Sequence, residues 1–308
     1  MKGLELSERY FREFGAPLIE RKFRGYQSRI AAGLVGEGSQ CYGFDDEISR
    51  DHDWGPEFCL WLNRQDYATI GTSLAEELAR LPADFEGSGS RRVSEWGGGR
   101  VGVFEIGEFY RRFTGFDRVP SRLQEWRTIP ETCLAAATNG KVFTDPLGEF
   151  TTIREGLKAF YPEDVRLKKI ASRSMSLAQL GQYNYTRCVQ RKEFVAAQYV
   201  EAQFCAQVIS LVFLLNRQYT PFYKWMHRAV KALPVLGEEM YRLTGEIATS
   251  YGHGKKARLI DETCALIIAE LRRQGLSDSP SDFFLDQAPV VQSRIRDPEL
   301  RNSDVRME

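Results

Sequence analysis

Between residues 155 and 275 the chain runs through successive helical periods with few breakers, and this stretch constrains the fold more than any other feature. Its centre is residues 193–216, where Ala197, Val200, Phe204, Val208, Leu211 and Leu215 recur at spacings of three and four. Residues 208–215 are apolar nearly all round, which predicts the central helix of a bundle rather than a helix with one wet face. At eight residues the run is shorter than the roughly 18–20 needed to cross a bilayer, so no membrane partner is expected. Shorter helices are expected at 165–182, 222–233 and 236–251, and residues 256–274 set Ile260, Cys264, Ile267 and Leu271 on one face. Residues 277–280 break the pattern, and the charged end 294–308 is expected to be partly disordered.

Residues 1–150 read differently. Leu6, Tyr10, Phe11, Phe14 and Leu18 predict a helix over 4–20. An apolar run at 30–35 ends in Gly36-Glu37-Gly38-Ser39, a strand followed by a tight turn. A second strand is expected at 58–62, an amphipathic helix at 66–81 and a third strand at 100–106, where Val101, Val103 and Phe104 fall. Residues 82–99, rich in glycine, serine and charge, predict a loop or a hairpin. After Pro120 the strand signal disappears. The expected class is α+β, with domains at 1–120 (strands and helices), 121–275 (helical bundle) and a C-terminal extension at 276–308.

The 308 residues carry 42 basic and 42 acidic side chains, a formal net charge of zero. Such a chain has no bulk attraction to a phosphate backbone, so nucleic acid is not an expected partner. Cysteines 41, 59, 133, 188, 205 and 264 form no C-x-x-C pair and read as reduced thiols. Residues 1–10 have no apolar core of the signal-peptide kind, so a cytoplasmic location is expected.

One segment carries chemistry. After Gly38-Ser39 come eleven residues and then Asp51-His52-Asp53. If Asp51 and Asp53 lie on a strand, positions i and i+2 present both carboxylates to one point, which is costly unless a cation neutralises them. Hard oxygen ligands of this kind suit Mg²⁺ or Mn²⁺. The Gly38-Ser39 turn would offer N–H groups and a hydroxyl to phosphates held by the same metal.

The order strand, Gly-Ser, Asp-x-Asp resembles the nucleotidyltransferase signature of the DNA polymerase beta superfamily. The longer string Gly36-Glu37-Gly38-Ser39-Gln40 with Asp45-Asp46-Glu47-Ile48-Ser49-Arg50-Asp51-His52-Asp53-Trp54-Gly55-Pro56 is similar to a family of uncharacterised bacterial nucleotidyltransferase-like proteins. So are Gly181-Gln182-Tyr183-Asn184, ahead of Arg187 and Arg191, and the stretch from Leu215 to Trp225 that contains Lys224. The likeness covers roughly residues 25–235. It implies a polymerase-beta-like nucleotidyltransferase domain followed by a helical domain, as in enzymes that adenylylate aminoglycosides. It also implies a third metal-binding acid on a later strand, for which Val103-Phe104-Glu105-Ile106 has the right type and order, with Glu108 as a neighbour.

Each residue also has a plainer reading. Asp45-Asp46-Glu47 is more simply a solvated turn, and His52, between two acids on a strand, would face away from them. Arg187 and Arg191, four apart on one helix face, either clamp phosphates or pair with Glu193 or Glu201. Lys224, between Tyr223 and Trp225, either snorkels along packed rings or meets a phosphate. Arg217 before His227 and Arg242 before His253 are too widely spaced for the RNase partner domain of some minimal nucleotidyltransferases.

The first functional expectation is an enzyme moving a nucleoside monophosphate, AMP foremost, from a nucleoside triphosphate such as ATP to a hydroxyl of a small molecule or protein. Asp51, Asp53 and Glu105 would hold the metal, and Gly38, Ser39, Arg187, Arg191 and Lys224 would bind nucleotide or acceptor. Glu193 is the candidate general base, in a cleft between the two domains. The second expectation is a nucleotide-binding regulator without turnover. Polynucleotide tailing or signalling-nucleotide synthesis ranks third, for want of a basic, aromatic-interleaved patch.

Overall fold

The structure, a computed structural model, describes residues 1–88 and 98–307. It is α+β and mostly helical, with one small mixed sheet. Contacts divide the chain into two compact units, Met1–Pro120 with Cys133–Ala159, and Ser121–Thr132 with Phe160–Glu308.

The first unit opens with α1 (Gly3–Tyr10) and α2 (Ala16–Lys22), joined by a π-turn at Phe11–Gly15. There follow β1 (Ala31–Leu34), α3 (Ser39–Tyr42), β2 (Cys59–Leu62), α4 (Arg64–Leu78), β3 (Gly102–Glu105) and α5 (Ile106–Thr114). Past α6 (Leu123–Thr128) and α7 (Glu131–Thr138), β4 (Lys141–Thr144) and α8 (Glu149–Lys158) complete it. The strand order is β3-β2-β1-β4, with β1 antiparallel to β2 and β4, and β2 parallel to β3 across the α4 crossover.

The fourth strand corrects the expectation that strands end before Pro120. Asn139-Gly140 turns the chain, and Lys141-Val142-Phe143-Thr144 then pairs with β1 in the register Gly33↔Val142 and Leu34↔Lys141. That pairing requires glycine at two places. A Cβ on Gly33 would stand 2.5 Å from the Lys141 carbonyl oxygen, and one on Gly140, at φ 64°, would stand 2.0 Å from the Leu34 carbonyl oxygen. Gly140→Ala is therefore expected to cost about 3 kcal/mol or more, read as a drop in the urea midpoint. A loss within about 0.5 kcal/mol would show that β4 is not pinned in this register.

β2 is buried on both faces. Leu60 and Leu62 join Leu6, Tyr10, Phe11, Ile19, Phe58, Ile70 and Leu74 in one core, while Trp61 stacks on Phe150 at 3.8 Å between ring centroids and meets Phe109 edge-on. Alternation thus sends successive residues of one strand into two different cores. Residues 89–97 of the loop expected at 82–99 lie outside the described residues.

The second unit contains α9 (Glu163–Leu177), a π-helical stretch at Ala178–Tyr185, α10 (Thr186–Gln190), α11 (Phe194–Leu215), α12 (Tyr223–Val230), α13 (Gly237–Thr249) and α14 (His253–Arg273). It closes with α15 (Phe284–Ser293) and α16 (Pro298–Asn302). α11 is long and apolar enough to cross a membrane by length and composition, yet 56% of that window is buried, and every residue from Val208 to Leu215 is internal. It packs against α9, α12 and α13 as the bundle's central helix.

α9 buries four cations, each provided for. Arg166 donates to the Leu214 carbonyl at 2.9 Å and to Glu163 at 2.8 Å. Lys168 donates to Gln292 and to the carbonyls of Ser303 and Asp304. Lys169 lies over the Tyr161 ring, and Arg173 pairs with Glu131 at 2.6 Å. The Lys168 contacts, with Ile295 and Leu300 buried, place part of the segment after residue 294 against α9.

Burial also sets an alkaline limit on the fold. It pushes the Cys59 and Cys264 thiols and the Tyr110 and Tyr219 phenols well above their ordinary values. It raises Cys205, Tyr10 and Tyr185 to about 12. Each group loses its proton earlier in the unfolded chain than in the native one. The stabilisation is therefore complete below the ordinary values of 9.0 for thiol and 10.0 for phenol, and is lost as pH rises beyond them. Tm is expected to hold up to about pH 9 and then to fall steeply, each group adding up to about 1.4 kcal/mol per pH unit. A Tm unchanged at about pH 11 would contradict this burial.

Candidate functional site

The expected chemistry gathers at the end of β1. Gly36 (φ 130°) and Gly38 (φ 112°) turn the chain into α3, a backbone path that residues with a Cβ rarely take. At Gly38 a Cβ would meet nothing within 4 Å, so the space beside the turn is open. Asn139 holds the turn from beneath. Its Oδ1 accepts from Gly36 N–H at 2.9 Å and its Nδ2 donates to the Gly36 carbonyl at 2.7 Å, while Gly140 N–H donates to the Cys41 carbonyl. Asn139-Gly140 therefore serves both the β4 turn and the glycine turn.

The register brings a further group to this end of the sheet. Gly33 opposes Cys59, and Cys59 opposes Gly102, so the segments leading into β2 and β3 lie at the same end as the glycine turn. From the first comes Asp53, and from the second Arg100. The Arg100 Nη1 is 3.0 Å from Asp53 Oδ2, and its Nε is 3.5 Å from Glu37 Oε2 on the turn itself. The Asp53 carboxylate is only 6% exposed and Arg100 22%. In the sequence Arg100 is marked only as the first residue of the strand expected at 100–106.

Asp51 and Asp53 are not on a strand, which corrects the same-face geometry expected of them. Trp54 and then Gly55-Pro56 follow, and proline has no N–H for a ladder, so pairing begins only at Cys59. Asp53 adopts φ 52°, a left-handed conformation that aspartate tolerates better than most residues. Asp51 is exposed and its Oδ1 lies 2.8 Å from His52 Nδ1, so His52 meets an acid rather than facing away from it. Asp45 is buried, not solvated, and accepts from Gly3 N–H at 2.8 Å and Trp54 Nε1 at 3.1 Å. Asp46 receives Ser49 N–H at 3.1 Å in a local turn.

Glu105 is not brought to the aspartates. It pairs with Leu62 at the opposite end of the parallel β2–β3 pair. Its two oxygens accept from Gly107 N–H at 3.0 Å and Glu108 N–H at 2.7 Å, capping α5. Glu108 is no substitute, since it pairs with Arg111. Among the described residues no group of three His, Cys, Asp or Glu side chains gathers as a metal site. Asp51 and Asp53 remain as hard-oxygen donors, and Asp53 already holds a cation, the Arg100 guanidinium. That donor chemistry fits a divalent ion whose other ligands come from phosphates and water.

The remaining candidates lie in the second unit, all exposed. Arg187 stacks over the Tyr183 ring at 4.5 Å and donates to its hydroxyl at 2.8 Å. Arg191 ends α10, its N–H donating to the Arg187 carbonyl, and Glu193 stands at the N-cap position of α11 without a side-chain capping bond. Glu201 pairs with Lys256 at 2.7 Å instead of with the arginines. Lys224 sits in the first turn of α12, beside exposed Tyr223.

Comparison with known proteins is sparse. A family model described as a domain of unknown function (DUF4037) matches residues 126–226, about a third of the chain, and leaves the glycine turn and Asp53 outside. No curated protein matches. Among solved structures, this chain is similar to a nucleotidyltransferase-like protein from Exiguobacterium sibiricum 255-15, at 10% identity and a TM-score of 0.40. That likeness covers 96% of this chain and 80% of the other.

Proposed function

We propose that the first unit binds the polyphosphate of a nucleoside triphosphate at the Gly36–Ser39 turn and transfers the nucleoside monophosphate to a hydroxyl acceptor. The acceptor is a small molecule or a protein, and ATP is the donor proposed. The observation that carries this reading is one cluster: the open glycine turn after β1, with Asp53 and Arg100 beside it. The sequence string around it, similar to nucleotidyltransferase-like proteins, supports the same assignment.

Asp53, with Asp51, would hold Mg²⁺ or Mn²⁺, which supplies charge neutralisation at the transferring phosphate. Glu37, Gly38 and Ser39 offer backbone N–H groups and a hydroxyl to phosphate oxygens. Arg100 offers a forked donor to the same oxygens. In the helical unit, Arg187, Arg191 and Lys224 are exposed cations for an anionic group of acceptor or nucleotide, and Glu193 is the proposed base.

A second reading, a nucleotide-binding regulator without turnover, is favoured by one observation. Glu105, the proposed third acid, is committed to capping α5. Calorimetric titration with ATP tests the metal-dependent site, and pyrophosphate release separates the first reading from the second. Mg²⁺-dependent binding, weakened about tenfold or more in Asp53→Asn, supports the metal site at Asp53. Equal affinity with and without Mg²⁺ in the wild type would sink the metal-dependent reading and leave the regulator.

A further inference from the structure

The cation already at Asp53 has consequences for how a metal arrives. The Asp53 carboxylate is nearly desolvated, and the Arg100 guanidinium against it is itself mostly shielded. A pair of this kind is screened far less than an exposed surface pair. Arg100 is not fully satisfied there. Its Nε is a buried donor without a hydrogen bond, since Glu37 lies at 3.5 Å, beyond good hydrogen-bond length. Arg100 is thus a charge paired closely with Asp53 and more loosely with Glu37, with an N–H that lacks a hydrogen bond beside an open glycine turn.

We propose that Arg100 is an exchangeable counter-cation, which occupies the cation position at Asp53 until a polyphosphate draws it away and a divalent ion takes its place. The proposal rests on the reading of Asp53 as a metal ligand. Two cations on one carboxylate repel each other, so a metal ion approaching the nucleotide-free protein must displace the guanidinium. A polyphosphate beside the turn gives Arg100 an alternative partner of higher charge and matching bidentate geometry. Asp53 then faces a cation in both states, the arginine before binding and the metal after it, when the arginine lies on phosphate. Metal and nucleotide would bind with positive coupling beyond their affinity for each other in solution, because each relieves the other's competition with Arg100.

Mn²⁺ binding without nucleotide, followed by electron paramagnetic resonance, reads the exchange independently of turnover. The full-length wild type is compared with Arg100→Gln, Arg100→Lys, Asp53→Asn and the Arg100→Gln/Asp53→Asn double variant, each checked for folding by circular dichroism. Arg100→Gln is expected to bind Mn²⁺ about fivefold tighter or more than the wild type, with the gain absent in the double variant. Arg100→Lys keeps the charge but loses the fork, and is expected to fall between the two. It provides the comparison if Arg100→Gln does not fold. Unchanged affinity in the arginine variants, with binding still lost in Asp53→Asn, would overturn the exchange and leave the metal reading of Asp53 standing. Absence of Asp53-dependent Mn²⁺ binding from both the wild type and the folded arginine variants would overturn both.

Discussion

Glu131→Ala is expected to destabilise the second unit by about 3–5 kcal/mol, the range for removing one partner of a buried ion pair. Glu131 Oε1 accepts from Arg173 Nη2 at 2.6 Å, and Oε2 accepts from the hydroxyls of Ser210 at 2.9 Å and Thr220 at 2.8 Å. Arg173 Nε in turn donates to Ser210 Oγ at 2.6 Å. One carboxylate therefore ties the start of α7, the middle of α9, the core helix α11 and the segment after it. Alanine would leave a guanidinium buried without its carboxylate and two hydroxyls without their acceptor. Glu131→Gln keeps an acceptor and loses the charge, so a loss of about 1–3 kcal/mol is expected. Urea unfolding measures both. A loss below about 1 kcal/mol in Glu131→Ala would mean that water replaces the carboxylate and the network is not a structural hub.

Asp53→Asn is the second large effect, and it falls on function. Asparagine has the same shape but cannot neutralise a cation. Nucleotidyl transfer is expected to fall by about 10²-fold or more, the scale for losing one preorganised electrostatic group. Stability should fall much less, by about 1–2 kcal/mol, because Arg100 retains a polar neighbour, Glu37 and some access to water. Asp51→Asn separates the two aspartates. Asp51 is exposed and, among the described residues, pairs with its neighbour His52, so its loss should leave the melting temperature within a few degrees of wild type.

The helices of the second unit were legible because their apolar period is long and uninterrupted, as with α11 around Val208–Leu215. α15 was not, since Pro289 interrupts its period and lies inside the helix. β4 was missed because four residues give too short an alternation to stand out among helices. The Asn139-Gly140 turn followed by Lys-Val-Phe-Thr was the available signal. The glycine turn was legible because its residues are adjacent in sequence. The setting of Asp53 was not: Gly55-Pro56 delays β2, and reading Asp-x-Asp as strand ignored that punctuation. Arg100 had no local mark, being an arginine 47 positions after Asp53 that only the β2–β3 register brings to it. Glu105 matched in residue type and order, but β3 runs straight into α5, and an acid at that junction is also an ideal cap.

Label transfer from a nucleoside triphosphate tests the central claim most directly. Wild type and Asp53→Asn are incubated with Mg²⁺, a small-molecule and protein extract, and each of the four triphosphates labelled at the α-phosphate. Pyrophosphate release and labelled products are followed together. The account predicts α-label on an acceptor, stoichiometric with pyrophosphate, in the wild type and about 10²-fold less in Asp53→Asn. Label transfer at the same rate in both proteins would contradict it, as would no transfer by a wild type shown to bind the nucleotide.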